Sequence, residues 1–153
     1  MHDWITNFML HQYIVVSAAI IYDQGKGFLL QQRSFDKDFL PGVWAITGGK
    51  LEQTEAGGDV LENNVIREVE EEIGVTVGEL EYVDSHMAVH DDVWRVFVIF
   101  SAKIISGVPH VMDPSEVAQV RWVRHDGLDQ YELPAAVRRA IDKASLRLGW
   151  GQK

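Results

Sequence analysis

The chain has 153 residues, and 23 Asp and Glu against 14 Lys and Arg leave a formal charge of −9. That length suits one domain able to fold without disulfides, and the absence of cysteine excludes a disulfide scaffold, a Cys-ligated metal site and a thiol nucleophile. The acidic balance argues against a nucleic-acid partner, because phosphate contacts need clustered cations, yet it admits phosphate chemistry in which a divalent cation neutralises carboxylates.

Met1 to Ile5 carry no basic run, so no secretory leader is expected, and the chain is expected in the cytoplasm. Residues 1–12 mix aromatic and polar groups and define no element. Tyr13–Tyr22 reads as a buried strand; its apolar run, Ile14–Ile21, is interrupted by Ser17 and is far shorter than the ~20 residues a bilayer needs, so no membrane partner is expected. Asp23 to Gly27 is a turn into a second strand, Phe28–Arg33, making a hairpin. Ser34–Val43 is loop-like. Trp44–Thr47 is a short strand running into a glycine turn at Gly48-Gly49.

Residues 59–73 give the clearest helix. Asp59 followed by Glu62 resembles a capping box, Leu61, Val65, Val69 and Ile73 recur every four residues, and Gly74 stops the helix. Val75–Val77 and Leu80–Val89 look extended, and Val93–Ile105 is a long strand after a His90-Asp91-Asp92 turn. Residues 106–117 form a loop, Gln119–Val123 a strand, and Pro134 opens a last helix with the apolar stripe Val137, Ala140, Ile141, Ala144 and Leu148. Arg138, Arg139, Lys143 and Arg147 read as that helix's solvated face. No repeat or linker divides the chain, so residues 1–153 are expected to form a single α/β domain, a sandwich with a mixed β-sheet.

The segment richest in chemistry is Arg67-Glu68-Val69-Glu70-Glu71-Glu72-Ile73-Gly74-Val75. On a helix Glu68, Glu71 and Glu72 stand at i, i+3 and i+4 and share a face. They repel one another, and they crowd the helix C-terminus, where the macrodipole disfavours anions. A hard divalent cation relieves both conflicts. Alone, the three glutamates read more readily as a solvated acidic face; the glycine pair upstream, in Trp44-Ala45-Ile46-Thr47-Gly48-Gly49-Lys50-Leu51-Glu52, reverses that balance and favours the site.

Gly49, Glu55, the Arg67–Glu72 run, Gly74 and Val75 together resemble the signature of the Nudix hydrolases, G-x5-E-x7-R-E-U-x-E-E-x-G-U, with U aliphatic. The half from Arg67 to Val75 agrees at every fixed position. Eleven residues, rather than the usual seven, separate Glu55 from Arg67, which implies an enlarged loop around Ala56-Gly57-Gly58-Asp59. Thr47 replaces a proline often found before the glycine pair. The resemblance implies a Nudix-type α/β/α sandwich and hydrolysis of a nucleoside diphosphate derivative or a nucleoside triphosphate, modified ones included, with Mg²⁺ or Mn²⁺. It implies that Glu68, Glu71 and Glu72 hold metal with the Gly48 carbonyl, that Arg67 orients a glutamate, and that Glu68 is ligand, base or both. A further acid from a late loop matches Glu116, with Asp113, Asp91 and Asp92 as weaker candidates. Arg33 is a candidate phosphate contact and Trp44, or Trp94, a candidate base-stacking residue. His86 and His90 share a strand face and raise a zinc alternative, although strand histidines usually serve packing. The homodimer, common among soluble domains, is admitted as a partner. Two other readings of the fold are an isoprenoid diphosphate isomerase, a branch that relies on a cysteine absent here, and a non-catalytic nucleotide-sensing or regulatory module, a class that often loses box glutamates.

Overall fold

A computed structural model describes residues 12–52 and 57–151. Glu55 lies outside the described residues. In chain order the elements are β1 (Tyr13–Asp23), β2 (Gly27–Arg33), β3 (Trp44–Ala45), β4 (Thr47–Lys50), α1 (Val60–Ile73), β5 (Thr76–His90), β6 (Val93–Ser106), β7 (Val117–Val123), a 3-10 helix (His125–Gln130) and α2 (Ala135–Leu148). The 3-10 helix was not foreseen from the sequence. No helix among the described residues is long and apolar enough to cross a membrane.

The sheet is mixed, in the order β3-β2-β1-β6-β5, with β4 added to β1 and β7 to β2. One edge of β1 is shared. Its end, from Ile21 to Asp23, pairs antiparallel with β2, while Val16 to Ala19 pairs antiparallel with β4. Its other edge runs parallel to β6, from Tyr13 opposite Trp94 to Ile21 opposite Ala102. The glycine pair is therefore not in a turn: Gly48 and Gly49 lie within β4, opposite Ala18 and Ser17.

Alternation along the strands builds two cores, one on each face of the sheet. Ala18, Ile20, Phe28, Leu30 and Ile99 pack with Ala140, Ile141 and Ala144 of α2. Ala19, Ile21, Leu29, Phe100 and Ala102 pack with Val65, Val69 and Ile73 of α1. The result is the expected α/β/α sandwich.

Local chemistry explains most element ends. Asp23 Oδ1 accepts from the backbone N–H groups of Gly25 and Lys26, closing the first hairpin. Asp91 and Asp92 both take positive φ, 50° and 59°, as a tight hairpin turn between β5 and β6 demands. Gly74 ends α1 at φ 71°. The capping box does not form. Asp59 is left-handed at φ 53° and its side chain makes no cap hydrogen bond, because the glycine-rich approach delivers the chain to α1 in that conformation. The cations of α2 are also more than a solvated face: Arg139 Nε and Lys143 Nζ reach Asp84 of β5 at 2.9 and 2.8 Å, and Arg138 pairs with Asp129 and Asp142. Arg147 donates to the Tyr82 carbonyl.

Candidate active site

Helix α1 lies over β4 and β1, and this packing places the glutamates. Glu68 rests directly on Gly49; a Cβ there would stand 2.3 Å from the Glu68 Cδ. Gly48 is packed as closely on strand β1, its missing Cβ 2.3 Å from the Ser17 carbonyl oxygen. The absence of a side chain at Gly49 is thus what lets a carboxylate lie against the strand.

The helical glutamates do not share one environment. Glu72 is 5% exposed, Glu68 retains 14% of its side-chain exposure, and Glu71 keeps 57%. Glu68 and Glu72 turn into one cleft, and Glu71 stands towards solvent beside them. Burial raises the Glu68 pKa; Arg67 opposes that shift, and Glu71 and Glu116 add to it. Burial pushes Glu72 up to about 8, against a hydrogen bond from Gln31 and with further upward pressure from Glu68 and Glu116.

A chain of polar side chains fixes these acids. Arg67 reaches Glu68 at 3.1 Å and Glu71 at 3.0 Å, and donates to Asn64 Oδ1 at 2.7 Å. Asn64, fully buried, donates to Ser17 Oγ and to the Gly49 carbonyl. Gln31 Nε2 donates to Glu72 Oε2 at 2.9 Å, and the Thr47 hydroxyl donates to Gln31 Oε1 at 2.8 Å. Sequence reasoning missed Gln31 and Asn64. The signal was there: Gln31 follows Leu29 on the alternation that faces α1, and Asn64 precedes Glu68 by one helical turn.

The cleft has a volume of about 560 Å³, and Glu68, Glu72, Gly48 and Gly49 form its floor. Arg33, Lys37, Phe39, Arg95, Phe97 and Glu116 form its walls. Arg33 Nε donates to the Phe39 and Leu40 carbonyls, closing loop 34–43 upon itself. Burial lowers the Arg33 pKa while the nearby Glu72 and Glu116 charges oppose that shift. Phe39 packs under the Arg95 guanidinium at 4.6 Å and edge-on to His90 at 5.2 Å. Glu116 is held by Lys37 Nζ, at 2.7 and 2.8 Å from its two oxygens. The loop carrying Glu116 is pinned to α1 rather than loose: His110 N donates to the Ile73 carbonyl and Met112 N to the Glu72 carbonyl.

Of the residues singled out in the sequence, the cleft gathers Gly48, Glu68, Glu72, Glu116 and Arg33, with Arg67 and Glu71 at its rim. Trp44 stands apart, packed edge-on to Tyr131 at 5.1 Å and covered by Arg121. Asp113 is spent on Ser115, whose N–H and hydroxyl both bond it and hold its pKa below the ordinary value. Asp91 and Asp92 shape the hairpin. His86 stacks on Phe97 at 4.5 Å and His90 meets Asp91, so the two histidines do not converge. Among the described residues no trio of acids and histidines is already drawn to cation-binding distance. Glu68, Glu72 and Glu116 instead each hold a protein partner: Arg67 on Glu68, Gln31 on Glu72, Lys37 on Glu116. Buried Glu72 and partly buried Glu68, both with raised pKa values, and a third acid beside them nonetheless fit a hard divalent cation, the group that offsets their desolvation and mutual repulsion.

A family model described as NUDIX domain matches residues 12–144. The chain is 30% identical over 122 residues to an isopentenyl-diphosphate Delta-isomerase of Rhodobacter capsulatus, covering 74% of this chain and 65% of the isomerase. It is 30% identical over 138 residues to the NAD-capped RNA hydrolase NudC of Pseudomonas aeruginosa, covering 86% of this chain and 45% of NudC. The chain thus spans about half to two thirds of the length of these relatives. A crystal structure of a MutT NUDIX hydrolase from Burkholderia pseudomallei superposes with a TM-score of 0.74 at 27% identity, covering 86% of this chain and 98% of that one. With the glycine pair on β4 and the glutamates of α1 in one cleft, the chain belongs to the Nudix hydrolase family.

Proposed function

We propose that the chain is a divalent-cation-dependent hydrolase that cleaves the diphosphate linkage of a nucleoside diphosphate derivative or a nucleoside triphosphate, modified ones included. The observation that carries the reading is the sharing of one cleft by two carboxylates, buried Glu72 and partly buried Glu68, and by cationic side chains, Arg33 and Lys37. Carboxylates alone repel a phosphate chain; a site with both can take a cation on its floor and phosphate oxygens on its walls. The names of the two relatives point the same way, since an isopentenyl diphosphate and an NAD cap share the diphosphate group.

Glu68, Glu71 and Glu72, with the Gly48 carbonyl, would hold Mg²⁺ or Mn²⁺. When bound, such a cation neutralises charge on phosphate oxygens and makes water more acidic. The chain's own residues do the rest. Arg67 keeps Glu68 and Glu71 apart and aimed, while Gln31 and Thr47 fix the Glu72 rotamer. Arg33 and Lys37 engage the phosphates. Glu68 takes the proton of the water that attacks phosphorus as the bridging P–O bond breaks and its electrons leave with the departing phosphate.

The test is a substrate panel of nucleoside triphosphates, oxidised nucleotides, NAD, ADP-ribose and isopentenyl diphosphate, with Mg²⁺ or Mn²⁺, read by phosphate and pyrophosphate release and by product mass. Hydrolysis of a nucleotide at its diphosphate, abolished by EDTA, is expected. Isomerised isopentenyl diphosphate, or nucleotide hydrolysis undiminished by EDTA, refutes the reading.

A further inference from the structure

Lys37 lies on loop 34–43, and residue 116 is 79 positions away in the chain, yet the lysine grips both oxygens of the Glu116 carboxylate at 2.7 and 2.8 Å. The backbone enforces the meeting, since Ser34 N donates to the Glu116 carbonyl at 2.9 Å. Both side chains line the cleft floored by Glu68 and Glu72, and neither is sealed off, with 28% and 37% of their side-chain area exposed. The lysine is thus placed where an anion in the cleft meets it, and it is engaged with a wall carboxylate that a cation in the cleft would attract. A single ammonium group cannot serve the carboxylate and a phosphate equally well: each partner competes for its three donors.

We propose that Lys37 is a diphosphate-binding residue held in reserve on Glu116. In the empty cleft it neutralises the acid; on loading, the cation takes over that acid and the released ammonium turns to the phosphates. Cation and phosphate then assist each other through this exchange, each removing the partner that competes with the other. The inference rests on the reading of the site as a diphosphate hydrolase.

The experiment measures binding rather than turnover, by calorimetry on wild type, Lys37→Met and Glu116→Gln, with Mn²⁺ alone, imidodiphosphate alone and the two together. Lys37→Met should bind Mn²⁺ alone more tightly, by up to about fivefold, the worth of a half-exposed ion pair. It should bind imidodiphosphate with Mn²⁺ about tenfold more weakly, the loss of one charge-assisted bond. Glu116→Gln should reverse the pattern, weakening Mn²⁺ alone and strengthening imidodiphosphate alone. Lys37→Arg, which keeps the charge, should retain most of the imidodiphosphate affinity. A purely structural salt bridge would make the first two variants behave alike. Unchanged imidodiphosphate affinity in Lys37→Met, or unchanged or weaker Mn²⁺ binding in it, overturns the proposal. If Lys37→Met does not fold, the opposite signs expected of Glu116→Gln decide the matter. Wild type that binds neither probe refutes the diphosphatase reading itself, a result distinct from a wild type that binds both while Lys37→Met matches it.

Discussion

Glu72 is the most buried acid of the cleft, and burial leaves it holding a proton up to about pH 8 in the metal-free chain. The unfolded chain releases that proton near the ordinary value of 4.5. Stability carried by the protonated form is complete below that value and is lost as pH rises through about 8, because only the unfolded state has given the proton up. Glu72→Gln, which cannot ionise, should gain thermal stability over wild type in EDTA, and the gap should widen from about pH 5 to about pH 8. Added Mg²⁺ should stabilise wild type at alkaline pH and the variant far less, with turnover down by orders of magnitude. Equal melting curves across this range would mean Glu72 is not the group that titrates. The glycine pair offers a second contrast. A Cβ at Gly49 meets the mobile end of Glu68, whereas one at Gly48 meets the backbone of β1. Gly49→Ala should displace the carboxylate and cut turnover while leaving the melting temperature nearly unchanged. Gly48→Ala should cost stability of about 1–3 kcal/mol, as overpacking does. Denaturant titration beside kinetics separates the two.

Among the elements, the loop between β6 and β7 carries two acids of similar appearance in sequence and different standing in space. Glu116 faces the cleft, while Asp113 folds onto Ser115. Glu116→Gln should lower kcat by more than about tenfold with a modest change in KM, and Asp113→Asn should change either by less than about threefold. Similar small effects from both would remove the loop from the chemistry. The elements also show where sequence was readable. The helix of the glutamates was legible because Val65, Val69 and Ile73 keep one face and Gly74 stops it. Its start was misread: Asp59 and Glu62 have the composition of a cap, but conformation is set by the glycines ahead of them, and the side chain does not bond. Loop 34–43 showed no pattern because its order comes from distant partners, Glu116 for Lys37 and Arg95 for Phe39. Glu68 and Glu72 were found from their spacing, whereas their unequal burial depends on β2 and β4, which the spacing does not encode.

Across the whole molecule, α2 is fastened to the edge strand β5 by Asp84, only 4% exposed, which accepts from Arg139 and Lys143. Burial pushes the Asp84 pKa up, but the two cations prevail and hold it below the ordinary 3.8. That contribution is present above the unfolded value and is lost as pH falls through the folded one. Asp84→Asn should therefore destabilise the neutral-pH protein by about 1–2 kcal/mol, a reduced figure because both cations are half-exposed and regain water. The difference should vanish in strong acid, where wild type loses the same charge. Asp84 and Glu72 thus act on stability at opposite ends of the pH range, and chemical denaturation of each variant at several pH values tells them apart.

The parallel pairing of β1 with β6 has a kinetic consequence. Tyr13 meets Trp94, and Ile21 meets Ala102, across about half the length of the chain, while β5 and β6 meet through a local hairpin. Contacts this remote in sequence are costly to close, so the hairpin is the natural early structure and β1 docks late. Only when β1 is in place can it take β4 along its edge and bring the glycines beneath Glu68. A cation therefore has nothing to bind until folding is nearly finished. Mg²⁺ should slow unfolding and leave the refolding rate unchanged in stopped-flow measurements; faster refolding would mean that the glutamates meet the glycine strand before β1 has joined β6.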